Sequence, residues 1–433
     1  MHKSFFLRRC TASRSVGLAI LFLLSPLLLG AQQRDSTARR AKADSLRADS
    51  IRVADSLAIV RELEGKDKGK PAGTSPAGQA GASNPRLLPD LSAVGDLIGD
   101  LSPKGSTEED RSRFGIREVE VAIQAAVDPY FRGDVFLGIS DNEGVSIEQA
   151  YLTASALPWG LELRLGRLLM PVGKENTTHR HDLHTIEYPY VLQRFLGPEG
   201  LKGTGIYASK VVSPFGFYQE LIVTAVDRFG EVNPDLVADE PANKKLTGLG
   251  YSARLRNYWD LSQSANVELS GSVITGEREQ PLNNPLADGT NAVDVRQTVY
   301  GADLTVRWRP LQQGLYRSFI LQTEVLRQVN GVPASDVGYA GPTRDYTGFY
   351  AYARWQTGRR GYVGARTDVL QDPDYGGGTT RAASAYLEFF PSEFSKLVAG
   401  YERVIPPRTS AAAYDRIILQ ATFALGPHKP HPF

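Results

Sequence analysis

Apolar and polar residues alternate along most of the chain beyond residue 87. In LELRLGRLLM (161–170), Leu161, Leu163 and Leu165 share one face and Glu162 and Arg164 the other. A period of two is the mark of a strand with one apolar and one wet side. The same pattern predicts strands at roughly 89–101, 113–126, 130–141, 145–156, 160–170, 203–212, 216–228, 245–257, 264–275, 295–309, 314–328, 343–357, 361–371, 378–390, 394–404 and 412–425, about sixteen in all. No amphipathic helix is expected between Leu87 and Leu425.

The connections alternate in length. Short ones carry Pro and Gly where tight turns want them, at 127–129, 157–160, 213–216, 310–314, 358–360 and 391–393, with a looser turn near Trp259. The other set is mostly long and polar: 171–202, 229–244, 276–294, 329–342, 372–377 and 405–411. A soluble sandwich or propeller gives no reason for that alternation, whereas an outer-membrane barrel does. The fold expected is therefore all-β: a transmembrane antiparallel β-barrel of about sixteen strands, its long loops facing the cell exterior.

Several strands fix which side faces lipid. Tyr251, Ala253 and Leu255 are expected outward, with Ser252, Arg254 and Arg256 inward. Tyr300, Leu304, Val306 and Trp308 oppose Asp303, Thr305, Arg307 and Arg309. Phe349, Ala351, Ala353 and Trp355 oppose Tyr350, Tyr352 and Arg354. An Arg or Lys facing lipid at midplane costs about 2–4 kcal/mol, and a one-residue slip would expose several. Strands 145–156 and 394–404 are ambiguous and are given no phase. The inward set also holds Arg132, Arg164, Arg366, Glu118, Glu120, Asp134, Glu220, Glu268, Glu324, Asp368 and Glu388. Signs are balanced, so a polar channel with a transverse field is expected, at least half of these charges pairing across the wall.

Composition adds the N-terminal organisation. Met1–Ala31 has a basic end at Arg8 and Arg9, an apolar run over 16–29 and small residues at its end, as in a secretory signal peptide. The single cysteine, Cys10, falls within it. Residues 32–65 repeat Ala-Asp-Ser and space Leu46, Val53 and Val60 by seven, which suits a short, solvated periplasmic amphipathic helix or coiled coil, the alternative being a trimerising stalk or a tether that contacts the cell wall. Residues 66–86 read as a flexible linker, and 87–433 as the barrel. Net charge is +1, which gives no reason to expect nucleic acid, and mean hydropathy is −0.26, too low for helical spans but not for a barrel.

The string Leu161–Gly173 resembles the strand before the third loop of the phosphate-selective porins O and P, with Val172 where that family favours Phe. The segments 84–99 and 144–152 are similar to parts of related porin-like proteins, some labelled zinc-regulated outer-membrane receptors. The resemblance implies a sixteen-stranded, trimeric porin whose third loop folds into the lumen. The arginine ladder and lysine cluster of the phosphate-selective members have no clear equivalent here.

That loop, 171–202, is the candidate site. It carries Lys174, Glu175, Asn176, Arg180 and Asp182, expected at a constriction, and His179, His181 and His184, whose donors suit zinc. The bland alternative is that the imidazoles hydrogen-bond the loop to the wall. The leading reading is a porin for passive diffusion of small hydrophilic or ionic solutes. The alternatives are a divalent-metal receptor and a barrel-anchored envelope tether. No nucleophile motif or paired-carboxylate constellation points to an enzyme. Phe433 resembles the terminal aromatic of barrels recognised for assembly.

Overall fold

The computed structural model describes residues 89–103, 113–140, 144–155, 157–229, 249–281, 292–331, 343–408 and 411–426. The segments expected as signal, helix and linker, and the terminal Phe433, lie outside them. The described residues form one closed sheet of sixteen antiparallel strands: β1 (Asp90–Asp100), β2 (Phe114–Ala126), β3 (Phe131–Ser140), β4 (Gly144–Ala154), β5 (Leu161–Leu169), β6 (Lys202–Val212), β7 (Tyr218–Phe229), β8 (Gly250–Ser262), β9 (Ala265–Pro281), β10 (Ala292–Trp308), β11 (Phe319–Gly331), β12 (Thr343–Gln356), β13 (Gly361–Asp372), β14 (Gly378–Ser392), β15 (Ser395–Ile405) and β16 (Tyr414–Leu425). Each strand pairs with its chain neighbours. β1 closes on β16, from Ala93 opposite Leu425 to Asp100 opposite Ile418. Closure satisfies every ladder within the sheet, as a bilayer requires.

The outer face is apolar. Leu255, Tyr300, Val325, Phe349, Leu387 and Leu419 are exposed large side chains on it. Aromatic rings gather towards the short-turn end, with Trp308 stacked on Trp355 at 5.7 Å and Phe217 against Trp259 at 4.9 Å. An apolar belt edged by aromatics is how such barrels meet lipid and headgroups. The protein is thus an outer-membrane barrel.

Three local departures from the expected strands have physical causes. β8 continues to Ser262, because Trp259 and Leu261 keep up the outward apolar series, so the turn there is the tight Gln263–Ser264. β11 begins only at Phe319, where pairing with Trp308 starts. Arg309, expected in the lumen, therefore sits in the turn and donates to the Gly314 carbonyl (3.0 Å). In β4 the register shifts, Gln149 opposing Phe136 and Ile147 opposing Leu137, so Glu148 is an extra residue. That bulge turns both Glu148 and Gln149 inward, which is why no single phase fits the strand.

Candidate functional site

The chain leaves β5 through Gly166 and Gly173. A Cβ at Gly166 (φ +141°) would lie 2.1 Å from the Ala150 carbonyl oxygen on β4. Gly173 (φ +64°) makes the left-handed turn that sends residues 174–201 into the barrel. Its N–H donates to Ser272 Oγ (3.0 Å) on β9, and the next N–H, of Lys174, to Glu324 on β11 (3.2 Å). Asn176 then clamps the two stems. Its side chain donates to the Met170 and Leu201 carbonyls (2.8 and 3.1 Å) and accepts from the Leu201 N–H (2.7 Å).

The loop has its own structure, contrary to the expectation of no helix. Residues 175–177 and 180–182 make single 3-10 turns, and α1 (Tyr190–Leu196) is a short helix. Seven residues cannot hold a helix in water. Here Tyr190, Val191, Leu192, Phe195 and Leu196 are all buried, so packing holds it. They meet Val226, Ile274, Val299, Leu326 and Leu370 on the inner wall. These wall residues lie towards the long-loop end of their strands. The lumen thus has two tiers, a dry one under α1 and a charged one below. The polar channel expected from the inward charges therefore occupies only the lower tier; covering the upper wall with a loop removes the need for polarity there.

Below the dry tier the wall charges hold the loop. Arg366 donates to Asp368 (2.8 Å), to the Glu187 carbonyl (2.6 Å) and to Glu402 (3.2 Å). Asp368 accepts from the Tyr190 N–H (2.9 Å), and Glu402 from the Tyr190 hydroxyl (3.0 Å). Glu187 is bound by Arg180 (2.6 Å) and Arg117 (3.2 Å). Burial opposes its charge, but Arg180, Arg117 and Arg416 win and hold its pKa down at about 2. Glu175 is buried and accepts from Gln322. Arg354 makes a bidentate pair with Glu388 (2.7 and 2.8 Å).

Two residues that hold the loop had no signal in the alternation. Arg117 fell on the lipid side of its strand's pattern. A bulge, with Asp96 opposite Glu118 and Leu97 opposite Ile116, turns it inward to pair with Asp96. Lys396 lies in the strand that had no phase. It is buried and donates to the carbonyls of His181 (2.7 Å) and Leu183 (3.0 Å).

The other side of the lumen is open. Between the loop and strands β4–β9 runs a crevice of about 380 Å³, lined by Tyr151, Arg164, Tyr207, Glu220, Arg254, Arg256 and Glu268 and, from the loop, by Lys174 and Thr177. Thr177 and Pro198 are the exposed residues of 170–201. Most charges here pair along the wall: Arg164 with Glu162 (2.8 Å), Arg254 with Asp303 (2.9 Å), Arg256 with Glu220 (2.8 Å). Glu268 gathers Lys174 (2.6 Å), Arg307 (3.4 Å) and Arg256 (3.5 Å).

The histidines divide. His179 contacts Glu120 through Nδ1 (2.6 Å) and accepts from Gln149 through Nε2. Burial disfavours the charged ring, yet the Glu120 hydrogen bond and charge raise its pKa. His181 lies 4.0 Å from Glu120 and 3.6 Å from Asp182, its ring 5.7 Å from that of His179. His184 packs instead against Tyr352 (6.0 Å), and burial, then Arg354 and Lys396, hold its pKa well below the usual value. Among the described residues, no group of three His, Cys, Asp or Glu has the geometry of a metal site.

No family model matches the chain. An uncharacterized protein of Aquifex aeolicus is 28% identical over 353 residues, covering 76% of this chain and 72% of that one. Among solved structures, the chain is similar to the anion-selective porin from Comamonas acidovorans (11% identity, 78% of this chain, 99% of that one, TM-score 0.53). It is also similar to the outer-membrane protein OmpT of Vibrio cholerae (10%, 78% and 100%, TM-score 0.50) and to the outer-membrane channel DcaP of Acinetobacter baumannii (10%, 79% and 99%, TM-score 0.50). At these identities the likeness is one of fold: the closed barrel of outer-membrane porins and channels.

Proposed function

We propose that the protein is an outer-membrane porin through which small hydrophilic solutes and ions diffuse, with the loop 171–202 setting the size limit. The observation that carries this is the asymmetric seating of the loop. It is bonded to the wall on one side and leaves the Lys174–Thr177 edge facing a polar crevice on the other. The crevice lining carries Lys174, Arg164, Arg254 and Arg256 against Glu220 and Glu268, and this charged, water-accessible edge supports transport of ions under a local field. The fold likeness to porins and channels supports the same reading, and the trimer form of the V. cholerae protein supports assembly as a homotrimer. The Gly166–Gly173 string supports kinship with the phosphate-selective porins.

Thr177→Cys in a Cys10→Ser background gives one thiol at the crevice. Conductance in planar bilayers is expected to fall when a bulky charged thiol reagent reacts there. Full labelling with unchanged conductance would overturn the crevice as the path.

A second reading rests on His179 and His181, both near Glu120: a divalent metal taken up at the loop. Zinc titration of the wild type and of a variant with His179, His181 and His184 changed to Ala tests it, equal binding ending the idea.

A further inference from the structure

A second cavity lies on the opposite side of the loop from the crevice, at the short-turn end of β12–β16. It has a volume of about 600 Å³, and its walls include Lys396, Arg354, Tyr362, Phe390 and the turn residues Arg359 and Arg360. We propose that it binds an organic anion with an aromatic body.

The charge argument starts at Lys396. Its ammonium is buried and donates to two loop carbonyls, His181 at 2.7 Å and Leu183 at 3.0 Å. An ammonium has three donors, and the described residues supply no acceptor for the third and no carboxylate within ion-pairing distance. Burying a cation on carbonyl dipoles alone is costly, and an anion entering the cavity would relieve that cost. Arg359 and Arg360 add two exposed cations at the rim, again with no ion pair among the described residues. The acidic groups that face the cavity are Asp182, beside His181, and Glu393 in the next turn; Arg354 is already neutralised by Glu388. The balance at Lys396, Arg359 and Arg360 against these two favours an anion.

The body of the ligand follows from the rings. The Arg354 guanidinium carbon lies 3.7 Å from the centre of Tyr362 and 5.8 Å from that of Phe390, while the two rings meet edge to face at 5.5 Å. The bidentate Glu388 contact keeps this stack in place. A fixed guanidinium–aromatic shelf beside an under-satisfied ammonium suits a planar ring carrying a carboxylate or sulfonate. The shelf stands at the mouth, since the 358–360 and 391–394 turns frame it.

Equilibrium binding to the purified full chain in micelles tests this independently of whether the barrel conducts. Benzoate, acetate and benzylamine are titrated calorimetrically. Benzoate is expected to saturate one site per chain, acetate to bind about ten-fold more weakly for want of the ring contacts, and benzylamine to give no saturable heat. Arg359→Gln with Arg360→Gln, on an exposed turn, is expected to weaken benzoate several-fold. Phe390→Leu is expected to weaken benzoate and leave acetate unchanged. No saturable benzoate binding, equal binding of benzylamine, or affinities untouched by both variants would overturn the proposal.

Discussion

The two sides of the lumen use the same kinds of residue to opposite ends. On the β12–β16 side, extended by β1 and β2, the wall charges point their hydrogen bonds at the loop: Arg366 to the Glu187 carbonyl, Asp368 to the Tyr190 N–H, Lys396 to His181 and Leu183, Arg117 to Glu187. On the β4–β9 side, Arg164, Arg254 and Arg256 pair with acids of the wall itself. Of the loop's charges Lys174 reaches across, to Glu268, beside the contacts of Gly173 and His179 with the uncharged Ser272 and Gln149. A charge that binds the loop closes space, and a charge that binds its own wall keeps space wet. The number of inward charges therefore says little about an open path; their partners decide it.

The largest expected break in this asymmetry is removal of the loop. Deleting 175–199 leaves all sixteen strands and their closure intact, and conductance in planar bilayers should rise several-fold; an unchanged value would mean the loop does not narrow the path. Next in size are single changes on the packed side. Phe195→Ala should loosen the seated loop by about 3–5 kcal/mol through the cavity it leaves. Arg366→Gln should cost a similar amount, about 3–5 kcal/mol, by stranding buried acids. Hydrogen exchange at the loop amides reads both. The matching change on the open side, Arg256→Gln, removes a part-exposed pair and should cost under about 1 kcal/mol. Equal effects from Arg366→Gln and Arg256→Gln would erase the distinction.

Two smaller effects sharpen it. Lys174→Gln removes a cation from the crevice edge without touching the packed side. The reversal potential in a salt gradient should shift towards cations while loop exchange stays the same. The last concerns pH. Glu187 has its carboxyl held at about 2, below the ordinary 4.5, when the loop is seated. A depressed carboxylate stabilises above its ordinary value and loses that contribution on acidification. Protection of the amides of residues 180–196, taken relative to their intrinsic exchange at each pH, should therefore fall as pH drops from about 4.5 towards 2, and Glu187→Gln should flatten that loss.

The barrel was legible because lipid imposes a strict rule. Along the middle of β8, β10, β12 and β16 the outward positions are apolar, so Leu255, Val306, Phe349 and Leu419 announce their side in the bare chain. The loop was legible as a long interruption, and Asn176 and Lys174 as polar residues near its start, but not as a folded body. The helix Tyr190–Leu196 is too short to show a period, and its apolar residues read as uninformative until Ile274, Val299 and Leu326 stand opposite them. Arg309 went astray because pairing stops at Trp308, one residue earlier than the alternation does.

The sequence alone, then, determined strand number, the outward faces of the strands that alternate cleanly and the position of the long third loop, since these follow from local alternation against a uniform solvent. Tertiary structure decided the rest. The bulges at Arg117 and Glu148 turn an extra charge inward only because a neighbouring strand is one residue shorter there. The choice of which wall the loop binds depends on partners more than a hundred residues apart, such as Tyr190 with Asp368. Pairings at that separation leave no periodic trace in the chain, because each is fixed by the closed sheet that brings its two ends together.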